Sequence, residues 1–154
     1  MSDSPPPSAT GLPWKKILLT TDFSADSIAA WEQARRLAAI EPLTITVLHV
    51  TEPPFEGLRI HTESVHEEMR KAAESKLAKM VEEHFGSLSH VTSRVEQGRA
   101  ASVIGEVAKQ SGTDLIVISS HGHSGLKHVL LGSVVEAVVR HAPCPVLVVP
   151  AKPR

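Results

Sequence analysis

The chain has 154 residues, 42% of them hydrophobic, and 16 basic against 17 acidic side chains leave a net charge of −1. A chain of this length forms one domain and buries roughly 70% of its unfolded surface, so its core needs no disulfide or metal staples. The balanced charge and an aromatic share of 3% exclude both the basic footprint of duplex binding and the stacking platform of single-strand binding.

Residues 1–13, "MSDSPPPSATGLP", are rich in Pro, Ser and Gly and are expected to form a disordered leader. They hold an acid and prolines where a signal peptide needs basic residues and an apolar stretch. "KKILLT" (15–20) is the first predicted strand. A helix follows over 24–40, with Ser24 as its N-cap and Ile28, Trp31, Leu37 and Ala38 near one face. "LTITVLHV" (43–50) is the second strand, and 51–62 forms a longer connection. In the helical segment 63–85, Val65, Met69, Ala72, Ala73, Met80 and Val81 form a stripe, and Ser64 with Glu67 fits a capping box.

"HVTSRVEQ" (90–97) is the third strand, and the helix over 100–110 turns Val103, Ile104, Val107 and Ala108 inward. "DLIVISS" (114–120) and "PVLVV" (145–149) are apolar almost throughout, as strands covered on both faces must be. Between them a helix over 133–141 opens on a second capping-box pattern, Ser133 with Glu136, and ends in the cationic Arg140, which suits the helix dipole. Five strands alternating with four helices predict an α/β domain with a parallel sheet and right-handed crossovers. No apolar run approaches the ~20 residues needed to span a bilayer. The single Cys144 cannot form an internal disulfide. A cytoplasmic protein without membrane attachment is the expectation.

In open α/β sheets, ligands sit outside the carboxyl ends of the strands, where the strand order reverses. Two loops there carry suggestive residues: Thr20 to Ser24, "TTDFS", and the loop after the fourth strand, "HGHSGLKHVLLGS". Gly122 and Gly125 permit close backbone approach. Gly132-Ser133 begins a helix whose free N–H groups and positive dipole end suit a polyphosphate. A tight turn with a capping serine accounts for the same residues equally well. Asp22 reads either as a ligand contact or as a local cap. His49, within a strand, reads as a residue satisfied by hydrogen bonds.

Other chemistries find less support. There are nine histidines, but no Cys-x-x-Cys or His-Glu-x-x-His pattern accompanies them, so no dedicated metal site is expected. No Gly-x-x-x-x-Gly-Lys-Ser/Thr sequence supplies a phosphate-neutralising lysine. Lys127 and His123 could reach a γ-phosphate, though exposed loop residues usually face water; the enzymatic alternatives are slow hydrolysis of a bound nucleotide and a metal-dependent hydrolysis using the histidines. Cys144, between Pro143 and Pro145, reads as a small apolar filler.

The sequence "SSHG", nine residues, then "GSVVEAVVRHAPCPVLVV" resembles the signature of the universal stress protein family, Gly-x-x-Gly, nine residues, Gly-Ser/Thr. "KKILLTTDFS" and "ITVLHV" are similar to the family's pattern too, so that the resemblance spans residues 14–150 and leaves 151–154 as a tail. It implies a three-layer α/β/α sandwich, Rossmann-like or flavodoxin-like and akin to the adenine nucleotide alpha hydrolase fold, with a five-stranded parallel sheet in the order 3-2-1-4-5. Members with the full glycine signature bind ATP, here expected with Mg2+ held mainly by phosphates and water. By position, Asp22 would meet the adenosine portion, with Thr20 and Thr21 lining the pocket and the Val50 backbone meeting adenine. Gly122, Gly132, Ser133 and Val134 would surround the phosphates, with His121 and Gly125 completing the loop. The first signature glycine is Ser119 here, and a positive φ at that position would strain a serine by about 1 kcal/mol or more.

The resemblance also implies a homodimer through the last strand, Pro145 to Pro150, an apolar edge that must be covered. An edge blunted by its own prolines is the alternative. The functional expectation is an ATP-binding homodimeric module of stress response with unknown protein partners. Its rivals are a nucleotide-free dimeric interaction module and a slow ATPase.

Overall fold

The computed structural model describes residues 13–52, 63–86, 88–121 and 131–151. Its strands are β1 (Lys16–Thr21), β2 (Thr44–Thr51), β3 (Val91–Gln97), β4 (Leu115–Ser119) and β5 (Val146–Val149). Its helices are α1 (Ile28–Ile40), α2 (Glu63–Phe85), α3 (Ala100–Ser111) and α4 (Ser133–His141). All five strands are parallel in one sheet of order β3-β2-β1-β4-β5. The result is the expected three-layer α/β/α sandwich.

The alternation of side chains along each strand sorts the core into two layers. Ile17 and Leu19, Ile45 and Val47, and Leu115 and Val117 face one way, against Ala30, Trp31 and Ala34 of α1 and Leu77 and Phe85 of α2. Leu18, Leu48, Ile116 and Ile118 face the other way, against Ile104, Val107 and Ala108 of α3 and Val135 and Val138 of α4. The central strands β1 and β4 are therefore buried on both faces, and their sequences are apolar without alternation for that reason.

At the amino ends of these strands, one Asp114 carboxylate oxygen accepts the backbone N–H groups of both Lys15 and Lys16 at 2.9 Å. This clamp holds the start of β1 beside β4, and the two backbone donors keep the Asp114 carboxyl below its ordinary pKa. α3 ends at Gly112, whose φ of 62° lies in the left-handed region that glycine adopts without strain.

Three local expectations change. Ser24 does cap a helix, but a single 3-10 turn, Ala25–Ser27, intervenes before α1; Trp31 is buried as expected and Ile28, Leu37 and Ala38 pack half-buried against the same core, beside the buried Ala29, Ala30 and Ala34. In α2 the stripe holds only in part: Ala73 is buried and Met80 and Val81 pack against the core, but Met69 and Ala72 are exposed, and Leu77 and Phe85 are the other buried residues. A 23-residue helix is about 35 Å long, whereas the eight residues of β2 span about 26 Å. The helix contributes to the core from Ala73 onward. The two capping boxes shift as well, because Ser64 and Ser133 are helical residues of α2 and α4 rather than the residues before them.

Candidate functional site

The order reverses between β1 and β4, which lead to helices on opposite faces of the sheet, and a cleft opens above such a point. Leu19 pairs with Val117, and the same register puts Thr21 level with Ser119. Both strand ends are polar yet buried, through Thr20, Thr21, Ser119 and Ser120.

On the β1 side the chain turns sharply after Thr21. Thr21 Oγ1 accepts the Phe23 N–H at 3.1 Å and bonds the Ser27 hydroxyl at 3.0 Å. Asp22 Oδ1 accepts both the N–H (2.9 Å) and the hydroxyl (2.5 Å) of Ser24. Ser24 in turn accepts the Ser27 N–H at its own hydroxyl oxygen, 3.3 Å away. The Asp22 carboxylate is thus oriented by two donors on one oxygen at the top of β1, half-buried. The Thr21 hydroxyl, by contrast, is engaged within the turn.

Beside it, β2 outruns β1. Their pairing ends at Thr21–His49, while β2 continues alongside β3 to Thr51–Gln97. The edge of β2 at Val50 that faces β1 has no strand beside it among the described residues. His49 is satisfied as expected, with Nδ1 2.9 Å from the Thr21 carbonyl. A carbonyl only accepts, so Nδ1 carries the proton.

On the β4 side Ser119 is the last residue of the strand, and its hydroxyl donates to the His121 carbonyl at 2.8 Å. Among the described residues the only non-glycine with positive φ is Phe23. The strain anticipated for a serine in place of the signature glycine therefore does not arise. Ser120 joins three elements. Its N–H donates to the Val149 carbonyl at 2.8 Å, its carbonyl accepts the Gly132 N–H at 2.9 Å, and its hydroxyl accepts the Ala151 N–H at 3.2 Å. The same hydroxyl lies 2.9 Å from His121 Nδ1.

Gly132 precedes α4 with φ −68° and ψ 155°, and no side chain caps the helix. The first helical bond of the main chain runs from Glu136 N–H to the Gly132 carbonyl, at 2.9 Å. The N–H groups of Ser133, Val134 and Val135 come before it, at the positive end of the helix dipole. Among the described residues nothing demands glycine here, because the dihedrals suit any residue and an added Cβ would meet the Ser120 carbonyl oxygen at 3.6 Å, His121 Cα at 3.9 Å and Val135 Cγ2 at 4.0 Å, all ordinary contacts. Glycine places no side chain of its own over the amides. Gly122 and Gly125, with Lys127, His123 and His128, lie outside the described residues.

The structure thus brings Thr20, Thr21, Asp22, Val50, Ser119, His121, Gly132, Ser133 and Val134 to one end of the sheet. Sequence reasoning missed Ser27 (1% exposed) and Ser120. The repeated serine spacing around Ser24 was the available signal for the first, and nothing local marked the second. Elsewhere, burial pushes the Cys144 thiol above its ordinary pKa, as befits a filler and not a nucleophile. Among the described residues there is no cluster of three or more His, Cys, Asp or Glu able to hold a metal ion, and no helix is long and apolar enough to cross a membrane.

An open parallel sheet with this order, and with a bare helix terminus beside the point of reversal, defines a Rossmann-like α/β domain. The chain belongs to the universal stress protein family, whose model matches residues 13–150. A universal stress protein of Methanocaldococcus jannaschii is 36% identical over 143 residues, 88% of this chain and 82% of the relative. The solved universal stress protein UspA of Lactobacillus plantarum has a TM-score of 0.74 at 25% identity, over 88% of this chain and 97% of that one. A more distant solved member, from Arabidopsis thaliana with AMP bound, shares the fold at a TM-score of 0.62 and 20% identity, over 90% of this chain and 92% of that one.

Proposed function

We propose that the chain is a nucleotide-binding module of its family, that its ligand is ATP with Mg2+, and that it works as a homodimer in stress response. The observation that carries the reading is the start of α4, where Gly132, which among the described residues neither backbone nor packing requires, stands at the N-cap without a side chain to cap the amides that follow. Amides in this position suit phosphate oxygens, each bond to a charged group contributing about 1.5–3 kcal/mol. The unpaired edge of β2 at Val50 offers backbone groups to a planar base, and Asp22, with one oxygen held by Ser24, faces the nucleoside portion. A fold relative with AMP bound is consistent with an adenine nucleotide here. Magnesium would be held mainly by phosphates and water, so the protein needs no ligand cluster of its own.

The homodimer reading rests on β5. It pairs with β4 alone, at the sheet's edge, and Leu147 is 37% exposed there. A second copy would cover that apolar edge by the same strand. Equilibrium dialysis with ATP in millimolar magnesium tests the nucleotide reading. Saturable uptake below millimolar concentration is expected; linear, unsaturable uptake refutes it.

A further inference from the structure

We infer that Phe23 and His49 are positioning residues for Asp22, and thereby govern recognition of the nucleoside end of the ligand rather than its phosphates; the inference rests on the nucleotide reading above. Phe23 has a φ of 65°, in the left-handed region that a bulky side chain disfavours. Strain of this kind persists only where surrounding contacts over-determine it. Here they do. The Phe23 ring stacks on His49 with centroids 4.0 Å apart and planes 28° from parallel, and Lys76 Nζ lies 4.5 Å from the ring centre. His49 is itself fixed, opposite Thr21 in the strand register and bonded through Nδ1–H to the Thr21 carbonyl.

The consequence falls on the neighbours of Phe23. Its N–H is held by Thr21 Oγ1, and the two residues on either side, Asp22 and Ser24, are joined by two hydrogen bonds to one carboxylate oxygen. The left-handed residue between them is what folds Ser24 back onto Asp22. A relaxed φ at 23 would carry the Ser24 donors away from the carboxylate and change its orientation. Glycine would adopt this φ without strain but would present no ring to His49. A phenylalanine at this φ is explained by the stack and not by the backbone. The α4 terminus, on the β4 side of the cleft, shares none of these contacts.

The test measures the dissociation constants of adenosine and of inorganic tripolyphosphate, together with amide exchange at Ser24, for the wild-type chain, Phe23→Ala, Phe23→Leu and His49→Leu. Each folded variant is expected to exchange the Ser24 amide faster and to bind adenosine about tenfold more weakly, the loss of roughly one charge-assisted hydrogen bond. Tripolyphosphate affinity should stay within about twofold of wild type. Three variants are included so that one failing to fold leaves the others to decide. Wild-type adenosine affinity in a folded variant overturns the inference, as does an equal loss of both ligands, which signals general collapse. If the wild-type chain binds neither ligand, the nucleotide reading itself falls and takes this role with it. An unchanged Ser24 exchange rate refutes the positioning geometry whatever the ligand result.

Discussion

Replacing Gly132 by aspartate separates what the fold wants from what the ligand wants. The backbone at Gly132 is extended with negative φ, and among the described residues a Cβ there meets nothing closer than 3.6 Å, so Gly132→Asp is expected to introduce no strain. Aspartate at an N-cap is better than glycine by a few tenths of a kcal/mol. Its charge at the dipole's positive end contributes about 0.3–1 kcal/mol, and the lost chain freedom in the unfolded state a further ~0.4–1 kcal/mol. The variant should be more stable than wild type by about 1 kcal/mol, a rise of roughly 2–4 °C in Tm for a chain of this size. A phosphate on the same amides would meet a carboxylate about 4 Å away, at a cost of about 4 kcal/mol for an effective dielectric near 20. If magnesium and salt screen half of it, the loss is still about thirtyfold in Kd. Thermal unfolding without ligand and calorimetric titration with ATP measure the two effects. Raised stability with weakened ATP binding supports the reasoning; undiminished ATP affinity in a stabilised variant refutes it.

Leu77→Ala should cost about 2–5 kcal/mol in chemical denaturation, because Leu77 is fully buried beneath the second half of α2, whereas Met69→Ala on the exposed first half should stay within about 0.5 kcal/mol; equal effects would place sheet under the whole helix. Asp114→Asn should destabilise the chain near neutral pH. Because the folded Asp114 pKa is depressed, its contribution is complete above the ordinary carboxylate value and is lost as pH falls through the depressed one. The difference in denaturation midpoint between wild type and variant should therefore shrink in strong acid, and a difference that grows there contradicts the clamp. Leu147→Arg, which puts a charge on the exposed edge of β5, should convert a dimer to a monomer in analytical ultracentrifugation with little change in secondary structure; a persisting dimer would move the interface elsewhere.

The strands were legible because β1 and β4 are covered on both faces and cannot hide their apolar runs, and α3 was legible because Val103, Ile104, Val107 and Ala108 sit over sheet for its whole length. α2 misled because periodicity reports an amphipathic face but not how much sheet lies under it, so Met69 and Ala72 looked like core. The Ser-x-x-Glu patterns at 64 and 133 misled because the same four residues also occur inside the first turn of a helix, and at α4 the preceding Gly132 takes the capping position with its backbone alone. The placement of Asp22, Gly132 and Ser133 at the carboxyl end of the sheet was legible from the strands that precede them. The Phe23–His49 stack and the links made by Ser120 were not, since they join residues 26 and about 30 positions apart through strand pairing that no local pattern encodes.

Backbone amide spectra of the isotope-labelled chain, recorded as ATP and then adenosine are added, test the central claim most directly. The Ser133 and Val134 signals should move with ATP and saturate, and should barely move with adenosine. Signals that stay fixed at those two amides while ATP shifts residues in another part of the surface would contradict the account.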